Sequence, residues 1–212
     1  MNKQQVFYIH GGSSYSSYDD FLFDLKKKEF WNAPDQESAK KWPSTLRAQL
    51  GDEYRVFIPS MPNSENAKYE EWKIWLERHF EFLHDEVILV GWSQGAMFLA
   101  KYFSENNTPF VVKHLFLLAA PYEFYVSSEC KEDGGDFYPD ISKVSSIQEK
   151  VANITIMHSK DDFVVPYEHA LKYKEALPEA ELVTFEDKNH FLVEELPELV
   201  ERIRILSAQN NH

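Results

Sequence analysis

Gly91-Trp92-Ser93-Gln94-Gly95 lies where an apolar, β-branched run, EVILVG (86–91), gives way to a helix-like pattern. The protein has only 7 glycines, and two of them stand two residues either side of Ser93. The spacing is G-x-S-x-G in a strand–turn–helix context, which lifts a serine hydroxyl above a sheet edge on a strained turn. Side chains at 91 and 95 would collide with the packed strand and helix, so glycine stands there. The next amide, that of Gln94, falls at a helix N-terminus, where it can donate to a developing oxyanion. A serine hydroxyl is a weak nucleophile; it needs a base, and the base needs an orienting acid. KDDFVVP (160–166) offers Asp161 and Asp162, and KNHF (188–191) offers His190.

The elements that must position these groups are visible as an alternation. Strand candidates are 6–10, 54–59, 86–91, 112–120, 153–159 and 181–186, and several are continuous apolar runs, as in parallel strands covered on both faces. Helical periodicity falls at 39–50, 68–83, 95–105, 167–176 and 193–206, the last starting close to Pro197. The fold class predicted is α/β: a doubly wound, mostly parallel sheet of about six strands with helices on both faces. Residues 1–212 read as one domain, with long connections at 11–38 and 121–145. Both connections leave carboxyl ends of strands, the ligand-binding edge of such a sheet.

On this plan serine, acid and histidine follow in that order, each at the carboxyl end of a later strand. Of 8 histidines, His190 alone lies in the loop after the final strand. His79, His84, His114 and His169 fall in or beside helices and strands, and His212 ends the chain. His158 closes the strand before the aspartates and reads as packing behind the acid. Chain order leaves Asp161 and Asp162 both open. A metal site from His158, Asp161, Asp162 and His190 uses suitable residue types, but the serine already accounts for them, so no metal and no cofactor is expected.

A net charge of -13 and a pI near 5.0 argue against nucleic acid or an anionic membrane as partner. One cysteine, Cys130, excludes an internal disulfide framework and suits a reducing compartment. MNKQQVFYIH lacks the long apolar stretch of a signal peptide, and no window reads as a membrane span, so a cytoplasmic location is expected.

With YIHGG (8–12), VGWSQGA (90–96), SKDDFVVP (159–166) and KNHF (188–191), the chain resembles an α/β-hydrolase over nearly its whole length. More narrowly it is similar to the small serine hydrolases grouped with retinoblastoma-binding protein 9 and their bacterial relatives. In such enzymes the acid stands four residues before the proline of a D-x-x-V-P-like segment; here Pro166 points to Asp162, with Asp161 contributing to the turn. The resemblance makes Gly12 of HGGSS the second oxyanion donor, with Ser13 the alternative, and His10 an organiser of that loop. Ser128-Glu129-Cys130-Lys131-Glu132 lacks the leucine of the L-x-C-x-E motif associated with the group's namesake, so that protein partner is not carried over. The reaction implied is acyl transfer to water through Ser93, Asp162 and His190, with a small-molecule ester as substrate. A thioester is the runner-up. Phe21, Phe23, Trp31, Phe124, Phe137 and Tyr138 are the candidates to line an apolar acyl pocket. The competing reading is a non-catalytic binding module on a hydrolase scaffold, against which the complete serine–acid–histidine set argues.

Overall fold

In the computed structural model, which describes residues 3–28, 41–84, 86–123 and 131–208, the apolar runs become six strands. They are β1 (Gln4–Ile9), β2 (Tyr54–Phe57), β3 (Glu86–Trp92), β4 (Val111–Leu118), β5 (Ile154–Ser159) and β6 (Glu181–Phe185). All pair in parallel in one sheet, in the order β2-β1-β3-β4-β5-β6. The helices are α1 (Tyr18–Leu25), α2 (Trp42–Leu50), α3 (Tyr69–Arg78), α4 (Gln94–Glu105), α5 (Glu168–Ala176) and α6 (Pro197–Ala208).

Alternation along each strand feeds two cores. Phe7 and Ile9 of β1 and Leu89 of β3 face one side, under Trp72 of α3, Phe98 of α4 and Tyr173 of α5. Val6, Tyr8, Ile88 and Val90 face the other, under Trp42 and Leu46 of α2 and Leu199 and Ile203 of α6. Covering both faces is what lets the central strands be apolar throughout. Among the described residues no helix is long and apolar enough to cross a membrane.

Three features differ from the sequence expectation. The connection after β1 contains α1, started by Ser17, whose hydroxyl accepts the Asp20 amide at 3.0 Å. The connection after β4 ends in a 3-10 helix, Ile141–Glu149, capped by Asp140 through the Ser142 amide. The helix expected over 68–83 stops at Arg78, where His79 Nδ1 donates to the Trp75 carbonyl at 2.7 Å, and a 3-10 turn follows at Phe80–Phe82. α6 begins at Pro197, as its lack of an amide proton permits.

The strand order reverses between β1 and β3, and β1 pairs with β3 so that Ile9 stands beside Gly91. The loops that leave these two strands therefore lie side by side, at the crevice where sheets of this kind bind ligands. β5 and β6 end level, Ser159 beside Phe185, so the Asp161–Asp162 turn and the His190 loop also emerge together.

Candidate active site

Ser93 caps α4 with φ 54° and ψ −121°, a left-handed backbone that a side-chain-bearing residue adopts only under constraint. The constraint comes from its glycines. A Cβ on Gly91 would stand 2.6 Å from Ala96 Cα and 2.7 Å from the Gly95 carbonyl oxygen; one on Gly95 would press into the Ile9 and His10 carbonyls. The turn is thus clamped between β1 and α4. Gly11 lies beneath the serine: a Cβ there would be 3.8 Å from Ser93 Oγ. Among the described residues the Ser93 hydroxyl makes no hydrogen bond.

Two backbone amides, one in the serine turn and one in the loop after β1, are uncommitted among the described residues. The Ser93 amide donates to the Leu118 carbonyl (2.8 Å) and the Ser13 amide to the Ser64 carbonyl (2.8 Å). Those of Gln94 and Gly12 donate to no group among the described residues. His10 fixes the backbone around Gly11 and Gly12. Its Nε2 accepts the Met61 amide at 2.8 Å, so its Nδ1 carries the proton and donates to the Gly11 carbonyl.

The adjacent aspartates divide two tasks. Asp162 Oδ2 accepts from His190 Nδ1 at 2.8 Å, while Asp162 Oδ1 accepts the amides of Val164 and Val165, both at 2.8 Å. Asp161 Oδ1 instead accepts the Asn189 amide at 2.8 Å and the Ser159 hydroxyl at 2.5 Å, holding the residue before His190. Asn189 (φ 38°) and Phe191 (φ 53°) both lie in the left-handed region, and Phe191 is anchored in the core edge-on to Phe185. His190 is therefore presented between two pinned residues.

His158, fully buried, backs the acid: its Nε2 donates to the Val165 carbonyl (2.9 Å) and lies 3.3 Å from Asp162 Oδ2. Burial alone would raise the Asp162 pKa. The hydrogen bonds from His158 and His190, the nearby imidazole charge and the Val165 amide outweigh it and hold this carboxyl well below the usual carboxylate range. Asp162 is thus a fixed anion behind the imidazole.

Sequence reasoning did not single out Trp92 or, as a pocket residue, Glu132. Trp92 Nε1 donates to the His190 carbonyl at 3.0 Å, and its ring lies 5.7 Å from the imidazole, tying the base loop to the serine turn. Its only signal was an indole between Gly91 and Ser93. Glu132 lines the same cavity as Ser93, a space of about 270 Å³ whose other walls include Gln94, Met97, Pro121, Tyr138 and Phe163. Within an acidic stretch nothing marked it as other than a solvated charge. Burial pushes its carboxyl up to about 7, opposed by hydrogen bonds from the Ser13 hydroxyl and the Ser14 amide and by the Lys28 charge, and reinforced by Asp24.

Among the described residues the aromatic candidates do not come together as an acyl pocket. Of the six candidates only Tyr138 lines the cavity among the described residues. Phe137 is fully buried against Trp72 and Phe98, Phe21 packs on Tyr15, and Phe23 is exposed beneath Lys27. Trp31 and Phe124, like Cys130, lie outside the described residues. The cavity's apolar wall is instead Met97, Pro121, Val164 and Val165, with the exposed ring of Phe163 among its lining residues.

The sequence matches the profile of the serine hydrolase family over residues 34–203. The chain belongs to the serine hydrolase family. Its sheet is that of the α/β-hydrolase fold. It superposes on the ydeN gene product of B. subtilis with a TM-score of 0.73 at 19% identity, covering 97% of this chain and 100% of that one. Est1E from Butyrivibrio proteoclasticus gives 0.57 at 14% identity, over 98% and 88% of the two chains. The thioesterase domain from the curacin biosynthetic pathway gives 0.62 at 15% identity, over 96% and 92%. At these identities the likeness is one of fold. A search of curated proteins found no match. Within this serine hydrolase the Asp162–His190 pair and Ser93 occupy strand ends on the same edge of the sheet, where the strained serine turn and the pinned imidazole lie next to each other through Trp92.

Proposed function

We infer that this hydrolase cleaves a carboxylic ester through Ser93, His190 and Asp162, by way of an acyl-enzyme. The observation that carries the reading is the 2.8 Å bond from His190 Nδ1 to Asp162 Oδ2, on a carboxyl held well below the usual carboxylate range, beside a serine held at φ 54°. Because Nδ1 donates to Asp162, Nε2 is the ring nitrogen left to take a proton. His190 Nε2 removes the Ser93 proton as Oγ attacks the acyl carbon. The oxyanion collects donors from the Gln94 and Gly12 amides, and the proton passes to the leaving alcohol as the ester bond breaks. Water then repeats the sequence on the acyl-enzyme and releases the acid, returning the proton to Ser93. Asp162 stays ionised throughout and stabilises the imidazolium.

Labelling with a fluorophosphonate probe tests the assignment. Wild type is expected to gain one covalent adduct on Ser93 by intact mass and peptide mapping, and Ser93→Ala none. Adduct formation at an unchanged rate in Ser93→Ala, or none in wild type, would refute it. A matched p-nitrophenyl ester and thioester of one acyl chain then separates the two acyl classes by kcat/KM.

A further inference from the structure

We propose that Trp92 is the positioning residue of the base: its indole N–H, on the His190 carbonyl, sets where the imidazole sits relative to Ser93 from within the serine turn itself. This rests on the triad reading above and adds a residue to it. Trp92 immediately precedes Ser93, and its Nε1 donates to the His190 carbonyl at 3.0 Å. Its ring lies 5.7 Å from the imidazole, centroid to centroid, with the two planes inclined at 40°. The other contacts of the base loop come from elsewhere. Asp161 takes the Asn189 amide, the Phe191 amide returns to the Lys188 carbonyl within the loop, and Asp162 holds Nδ1. They fix the loop's shape and the ring's tautomer. Among these contacts Trp92 alone joins His190 to the nucleophile's own turn.

The indole is itself held. Trp42, 2% exposed, packs edge-on to it at 6.3 Å and edge-on to Tyr8 of β1 at 5.2 Å, and the Trp42 amide donates to the Val193 carbonyl at 3.0 Å. A line of rings thus runs from β1 through α2 to the base, and α2 grips the chain again shortly after His190. Trp42 differs from Trp92 in one respect that isolates the bond. Its Nε1 has no hydrogen-bond partner among the described residues, so trimming it to a benzene ring costs packing and no hydrogen bond. Trp92 is not among the described residues that line the cavity beside Ser93. Removing its N–H should therefore act on the chemical step, through the base, and leave ligand binding alone.

The test splits fluorophosphonate labelling of Ser93 into its binding constant KI and its maximal rate kinact. Trp92→Phe keeps a ring and loses the donor. It should lower kinact about tenfold and leave KI within about twofold. A full ångström of misplacement costs about 10²-fold, and the Asp162 contact still holds the imidazole's other edge. Trp42→Phe removes the same volume from the same core without touching the His190 carbonyl, and should hold kinact within about twofold. Urea unfolding of each variant reads lost stability separately. Should Trp92→Phe not fold, 3-benzothienylalanine at position 92 keeps the bicyclic shape and exchanges only the N–H for sulfur, with the same loss of kinact expected. An unchanged kinact in whichever of these folds, a loss that lies wholly in KI, or an equal fall of kinact in Trp42→Phe overturns the proposal and leaves the triad standing. Absence of Ser93-dependent labelling in wild type would instead strike the hydrolase reading itself.

Discussion

Asp161 and Asp162 are neighbours in sequence, so exchanging each for asparagine isolates what the second contributes. In Asp162→Asn the Oδ1 contacts to Val164 and Val165 survive, because an amide oxygen accepts as a carboxylate does. The turn should therefore keep its shape. What changes is the 2.8 Å contact to His190, where an NH₂ now faces Nδ1. Two donors cannot share that contact, so the imidazole must place its proton on Nε2, the atom needed as base. The anion that would steady the imidazolium is lost in the same step. In serine-protease triads this exchange lowers kcat by about 10⁴-fold, or about 5 kcal/mol of transition-state stabilisation. Asp161→Asn keeps an acceptor for both the Asn189 amide and the Ser159 hydroxyl, and should hold kcat within a few fold. The assay is stopped-flow or plate-reader turnover of a p-nitrophenyl ester, with urea unfolding of each variant as control. The reasoning fails if Asp162→Asn keeps more than a tenth of wild-type kcat, or if both variants fall equally while remaining folded.

Gly91→Ala should slow phosphonate labelling at least about 10²-fold, because its Cβ meets Ala96 and Gly95 backbone at 2.6–2.7 Å and the serine must swing aside; the same urea curves should show about 1–3 kcal/mol of lost stability. A labelling rate near wild type would show that the turn absorbs the methyl elsewhere. His114 is buried on Phe116, with Nε2 on Thr155, and burial, aided by Arg202 and Lys113 against Glu181, pulls its pKa down to about 4. Since the unfolded chain takes up this proton near pH 6.5 and the folded one only near 4, stability falls with acidification between those values. Between pH 7.5 and 4.5 wild type should lose roughly 2.5 kcal/mol more than His114→Asn in urea unfolding, and equal losses would refute the assignment.

What was legible in the sequence was what local rules determine. Parallel strands covered on both faces must be apolar runs, and the six runs became six strands with ends shifted by a few residues at most. A strained serine turn must have small neighbours, which Gly91 and Gly95 announced. The α1 helix carried its own signal, Ser17 three residues before Asp20 and Tyr18, Phe21, Leu22 and Leu25 at helical spacing, which the glycine and serine around it obscured. The division between the aspartates was not readable from order alone, since both lie in one turn and only side-chain direction separates them. The cavity wall was least legible. Phe137 and Tyr138 are adjacent, yet one is sealed against Trp72 and the other faces the cavity, because a long loop's path is set by distant partners.

That contrast has a physical basis in where strain is kept. Residues at φ 54°, 38° and 53° carry or flank the proposed nucleophile and base, and each such backbone costs on the order of 1–3 kcal/mol unless its surroundings enforce it. Ser93 is enforced by two glycine contacts to backbone, Asn189 by Asp161, and Phe191 by core packing. All three restraints are anchored in the sheet or its immediate turns. Other lining residues of the cavity, Glu132 in the connection after β4 among them, lie outside that strained turn. Substitution at 91 or 95 therefore cannot reshape the cavity without first moving the hydroxyl. The labelling rate of Gly91→Ala reads that restraint directly.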